Sequence, residues 1–154
     1  MNSSHARLFA LLGAVVVLFI HTTVVHADVK PKNAKEATVV GFLDMIFNQK
    51  RPEEAFAKYG GPYYRQHNPV AADGKEALIA FLKSMPPGVT YHYEFKRVLS
   101  DGDMVVVHSW CTASPTDRGS AVVDMFRLEH GKVVEHWDVV QPIPEKSANN
   151  NTMF

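Results

Sequence analysis

The chain has a single cysteine, Cys111, among 154 residues, so it can form no intrachain disulfide. It carries no surplus of either charge: Lys and Arg number 16, and so do Asp and Glu. Nothing in that balance suggests a nucleic-acid partner, which needs a basic patch. No glycine-rich phosphate loop, GxSxG elbow, CxxC pair or HExxH helix occurs. Phosphate cradling, elbow-type serine hydrolysis, thiol–disulfide exchange and zincin-type proteolysis are thereby set aside. Cys111 reads as a small apolar residue buried on a strand. His108, three residues away, would point to the other face, so an activated thiol is not expected.

One long apolar run is present, residues 8–20 (LFALLGAVVVLFI). It follows a short, weakly basic start and has signal-peptide rather than transmembrane length. Val25, His26 and Ala27 offer a cleavage site, which divides the chain into a leader, residues 1–27, and one domain, residues 28–154. The expected destination is secretion or the periplasm, and an uncleaved membrane anchor is the alternative. Removing 27 of 154 residues leaves 127, enough for one core. It also removes Arg7 and no acid, so the net charge becomes 15 minus 16, or −1.

Polar chemistry concentrates in residues 119–141, GSAVVDMFRLEHGKVVEHWDVVQ. This segment reads as two antiparallel strands folded back at Glu129, His130 and Gly131. A three-residue loop with Gly131 in the left-handed position pairs Leu128 with Lys132, and hence Asp124 with His136. Asp124, His136, Asp138, Phe126, Val122 and Val134 then share one face. Met125, Arg127, Glu135 and Trp137 share the other. A two-residue turn at His130 and Gly131 would slip the pairing by one and separate Asp124 from His136. It would also hold His130 in a left-handed conformation, which costs more than placing Gly131 there. The bulged loop is therefore the expected register. Two carboxyls and an imidazole on one sheet face mark a wet surface or the floor of a polar pocket, because a core-packing face is apolar.

Upstream, residues 33–48 read as a helix with Asn33 as N-cap and Glu36 at capping-box spacing. Pro52 opens a second helix, PEEAFAKY, with acids in its first turn. Gly60, Gly61 and Pro62 break it, and residues 63–67 are short and extended. Asp73 is expected to cap a third helix, GKEALIAFLKSM, which Pro86, Pro87 and Gly88 end. Strands follow at residues 89–99 and 104–113 with a turn at Ser100, Asp101 and Gly102. Three helices followed by four antiparallel strands is an α+β pattern, with the helices packed on one face of a curved sheet.

The motifs YRQHNP (residues 64–69), DGDMVVVHS (residues 101–109), VVDMFRLEHGKVVEHWDVVQPIP (residues 122–144) and the terminal NTMF resemble SnoaL-like, polyketide-cyclase-type proteins. The branch most similar is that of predicted SnoaL-like aldol-condensation-catalysing proteins. The resemblance covers residues 33–154 and implies the nuclear transport factor 2-like α+β barrel. That fold is a cone whose N-terminal helices pack on a curved, mainly antiparallel sheet around a pocket. It also implies a homodimer and an acid near the end of the sheet as general base, which by the HWD motif is Asp138. Limonene epoxide hydrolase, of the same fold, pairs such an aspartate with an arginine. Here Trp137 stands beside Asp138 instead, which puts epoxide hydrolysis in doubt.

The expected catalytic set is Asp138 as base, His136 as proton donor or enolate stabiliser, and Asp124 as orienter of His136. His67, His108, Tyr64 and Phe126 are expected to line the substrate pocket, with Tyr63, Tyr91, Tyr93 and Trp110 as further candidates for its wall. Trp137 is expected to face away. No cofactor and no metal ion is expected, although the histidines and aspartates have ligand-type chemistry. The expected activity is cofactor-free enolisation, aldol or cyclisation chemistry on a small carbonyl compound. The alternative is a non-catalytic ligand-binding or dimerisation module whose polar residues satisfy one another.

Overall fold

A computed structural model describes residues 29–154; the expected leader, residues 1–27, lies outside the described residues. Helix α1 (Ala34–Leu43) starts at Asn33, whose side chain accepts the Glu36 amide at 3.0 Å. The Glu36 carboxylate turns back past the cap, accepting the Lys32 amide (2.6 Å), the Asn33 side chain (3.1 Å) and the Ser100 hydroxyl (2.9 Å). One buried carboxylate thus ties the helix start to the hairpin at the far end of the sheet.

Helix α1 runs on as a single π turn, Asp44–Asn48. Its last residue holds the sheet: the Asn48 side chain accepts the Tyr93 amide at 2.8 Å and donates to the Tyr93 carbonyl at 2.9 Å. That clamp stacks Phe47 on Tyr93, ring centroids 4.4 Å apart. Helix α2 (Pro52–Tyr59) has proline in its first turn, as its sequence predicts. Strand β1 (Gly60–Gln66), helix α3 (Lys75–Lys83) and strands β2 (His92–Asp101), β3 (Met104–Thr112), β4 (Ser120–Glu129) and β5 (Lys132–Pro142) follow.

The sheet has five strands in the order β1-β5-β4-β3-β2, with β1 parallel to β5 and every other pairing antiparallel. The extended segment expected at residues 63–67 is thus a full edge strand, so the sheet is mixed and mainly antiparallel. Its helix-facing side is apolar, led by Val105, Val107, Phe126 and Val133. Phe42 of α1 centres the core, edge-on to Phe56 at 5.1 Å and to Phe126 at 5.8 Å. The cap expected from Asp73 is not made: Gly74 (φ 95°) precedes α3, and Asp73 instead accepts the Gln66 amide at 2.7 Å.

The β4–β5 register corrects the expected loop. The turn is the two-residue one: Glu129 pairs with Lys132, and His130 (φ 50°) and Gly131 (φ 76°) are both left-handed. Positive φ at both central residues is the geometry whose twist matches a hairpin, and it outweighs the local cost at His130. That turn alone would set Asp124 opposite Trp137. A bulge then intervenes: Leu128 pairs with Val133 and Arg127 with Glu135, leaving Val134 unpaired on β5. The extra residue restores parity, so Asp124 faces Asp138 and Phe126 faces His136. The face assignment expected for Asp124, His136 and Asp138 holds for a different reason. Gly61 makes room for the bulge: a Cβ there would meet Val134 Cγ1 at 2.5 Å.

Two outcomes test these features. Gly131→Ala should lower stability by about 1 kcal/mol through backbone strain alone, because nothing lies within 4 Å of the added methyl. His130→Asn should be neutral or stabilising in the same urea melts. The second concerns Glu36, whose bonds, led by the Lys32 amide, hold its carboxyl below the usual glutamate range. A depressed carboxyl stabilises the fold above its unfolded pKa, and that contribution is lost as pH falls through the folded one. Glu36→Gln should therefore melt below the wild type at neutral pH, with the gap closing in acid. A pH-independent gap would assign the loss to packing.

Candidate functional site

Between the helices and the inner sheet face lies a cavity of about 360 Å³. Its walls are apolar and aromatic, with Phe42, Phe47, Leu78, Phe81, Tyr91 and Tyr93 among them. Its polar floor is built from β4, β5 and the end of β1. Asp124, His136 and Asp138 all line it, as do Tyr64 and Phe126.

Asp124 is buried, and its Oδ1 lies 2.9 Å from His136 Nε2. His136 Nδ1 lies 2.9 Å from Gln66 Oε1. The same Gln66 oxygen accepts the Asn68 backbone amide at 2.9 Å. A backbone N–H can only donate, so the Gln66 atom facing it is the oxygen, and His136 must carry a proton on Nδ1. The Nε2–Oδ1 contact then needs one shared proton, because two lone pairs at that distance repel. The Asp124–His136 pair is therefore neutral as a unit, whichever atom holds that proton. Burial pushes the Asp124 carboxyl above its usual range; the His136 hydrogen bond and charge oppose this and nearby Asp138 adds to it. Asp124 Oδ2 is buried without a hydrogen-bond partner among the described residues.

Asp138 is half-buried at the same floor, and its Oδ2 accepts the Asn68 side chain at 2.8 Å. Asn68 is oriented by the same logic: its Oδ1 accepts the Val70 amide at 2.9 Å, so its Nδ2 faces Asp138. Two side-chain amides, each fixed by a backbone N–H of its own loop, thus grip the two members of the site that come from β5. The His136 ring lies between Phe126 (4.6 Å) and Tyr64 (6.4 Å). Burial raises the Tyr64 and Tyr93 phenols above their usual range, which keeps both protonated. Cys111 also lines the cavity, and burial pushes its thiol up to about 12, as suits a small apolar residue rather than a nucleophile.

His67 and His108, expected at the pocket, are elsewhere. His67 turns to the outer sheet face, where Nε2 meets Glu135 Oε1 at 2.8 Å and its ring stacks on Trp137 at 4.5 Å. His108 stacks on Phe154 at 5.6 Å and its Nδ1 faces Arg97 at 3.1 Å. The reason is strand parity: Tyr64 and Gln66 face inward on β1, as Val107 and Ser109 do on β3, so the intervening and adjacent histidines face out. Of the other aromatics, Tyr91 and Tyr93 line the cavity, whereas Tyr63 and Trp110 do not. Arg127, on the outer face as expected, bonds Glu135 and Glu129 (2.7 Å each). Sequence reasoning missed Gln66 and Asn68; the signal was the period of two from Tyr64, which continues past the end of the strand.

The model of the SnoaL-like domain matches residues 39–136. Among solved structures, a candidate ketosteroid isomerase from Kribbella flavida superposes with a TM-score of 0.61 at 18% identity, covering 75% of this chain and 84% of that one. A candidate polyketide cyclase from Acidithiobacillus ferrooxidans gives 0.58 at 15% identity, covering 72% and 90%. An LEH-like epoxide hydrolase from M. tuberculosis gives 0.56 at 17% identity, covering 70% and 83%. Such identities establish a shared fold alone. No curated protein sequence matches the chain. The helices on a five-stranded mixed sheet have the nuclear transport factor 2-like architecture, and the domain match across most of it shows that the chain belongs to the SnoaL-like family.

Proposed function

We propose that the cavity catalyses cofactor-free proton transfer on a small carbonyl compound, of the enolisation, aldol or cyclisation type. The observation that carries this reading is the pairing of two carboxyl groups with different surroundings at the polar end of an apolar cavity. Asp138, half-buried and held by Asn68, is the base. The buried Asp124–His136 pair, which shares a proton, is its acid partner. Environments that separate two neighbouring carboxyls in this way assign acid and base roles.

Asp138 takes the proton alpha to the carbonyl; the C–H electron pair moves into the enolate, and the proton held by the Asp124–His136 pair passes to the carbonyl oxygen. Reversal at the same or another carbon regenerates the site. His136 acts here through its shared proton rather than through a free N–H, since both ring nitrogens are engaged. The aromatic walls favour a flat or cyclic substrate of modest size and keep water from the enolate.

The same fold also suits a non-catalytic binding module, and the closed chain of hydrogen bonds from Asp124 to Asp138 supports that second reading. Solvent-deuterium incorporation into small ketones and aldehydes separates the two. Asp138→Asn should cut exchange by roughly 10²–10⁴-fold with little change in melting temperature. Asp124→Asn should reduce exchange by more than it reduces stability. Exchange at the wild-type rate in Asp138→Asn, or no exchange into any carbonyl compound that binds, would leave the binding module as the answer.

A further inference from the structure

We propose that Asp124, His136 and Asp138 form a binding site for one divalent first-row transition-metal ion. One ligand atom from each of the three residues lies within 4.8 Å of the others. A tetrahedral ion with bonds of about 2.1 Å holds its ligand atoms about 3.4 Å apart, so the widest pair closes by up to about 1.4 Å when the ion binds. Asp124 and Asp138 face each other directly across β4 and β5. No lysine or arginine lines the cavity among the described residues, so His136 is the only basic side chain on its floor beside this carboxyl pair.

A second observation concerns the Asp124 oxygen that His136 leaves free. Asp124 lines the cavity, and its Oδ2 is buried without a hydrogen-bond partner among the described residues. An orphaned carboxylate oxygen in a buried site is costly, and a cation there removes the cost.

The surroundings of the three residues are those a metal site needs. A metal-binding histidine donates its second ring N–H to a fixed acceptor, which sets the tautomer and aims the other nitrogen. His136 does this through Nδ1–H to Gln66 Oε1, which the Asn68 amide holds in place. Asp138 is oriented in the same manner by Asn68 Nδ2. One imidazole with two carboxylates selects a transition ion such as zinc, manganese or cobalt over calcium. An ion held by both Asp124 oxygens takes the place of the proton now shared with His136 and gives Oδ2 its partner.

This inference does not rest on the catalytic reading and is separable from it. An ion on Asp138 engages the proposed base, so deuterium exchange is measured on chelator-treated protein, whereas metal binding is read by spectroscopy without any substrate. Co²⁺ is titrated into the full chain after removal of metals, following the visible absorption bands of the bound ion, with Zn²⁺ competition. One Co²⁺ per chain should bind saturably. Asp138→Asn and His136→Gln should abolish the bands, and Gln66→Ala should weaken binding by roughly 10–100-fold, which also serves if either ligand variant fails to fold. His67→Ala and His108→Ala, on the outer face, should leave the titration unchanged. No saturable binding below about 1 mM overturns the proposal. So does binding that survives Asp138→Asn, or that is lost with His67 or His108 instead.

Discussion

The bulge at Val134 is the constraint on which the site depends. The turn at His130 and Gly131 has the handedness a hairpin wants, but by itself it would send Asp124 to one side of the sheet and His136 and Asp138 to the other. One unpaired residue reverses that parity within a single turn of the ladder. Its side chain is fully buried against Gly61, so the correction is packed into the junction of β1 and β5 rather than left at an exposed edge. The same junction brings β1 alongside β5 and delivers Gln66 next to His136.

The loop after β1 turns this placement into a rigid polar floor. Asn68 uses its oxygen on the Val70 amide and its nitrogen on Asp138, while the one oxygen of Gln66 serves both the Asn68 amide and His136. Asp73 fastens the same loop through the Gln66 amide. The side-chain amides therefore have one orientation available, and they impose a single tautomer on His136. The opposite wall is fixed with similar economy by Asn48, which closes the π turn onto β2 and stacks Phe47 against Tyr93.

The two faces of the sheet divide the polar residues into separate systems. The inner face carries a buried pair and an orphaned oxygen at the end of an apolar cavity. The outer face carries a satisfied network in which Glu135 accepts from Arg127 and meets His67, holding its carboxyl below the usual range, led by the His67 bond. Burial without full satisfaction distinguishes the inner group. Proton and metal ion compete for the same atoms.

Much of this architecture was legible in the residues. The cap at Asn33, the proline start of α2, the α+β order and the shared face of His136 and Asp138 all follow from local chemistry and strand periodicity. Errors arose wherever a distant partner decided the outcome. Asp73 was free to cap α3 by spacing, yet the Gln66 amide claimed it. His67 and His108 have pocket-type chemistry, but strand parity, with Trp137 and Phe154 waiting on the outer face, took them away. The register of the hairpin depended on a bulge whose space is provided by Gly61, more than sixty residues earlier. The sequence by itself determined the elements, the family resemblance and the chemical types at the site, because these depend on neighbours a few residues apart. Only the tertiary structure decided the register, the partners of each ring nitrogen and the unpartnered oxygen of Asp124, because those depend on which strands and loops meet in space.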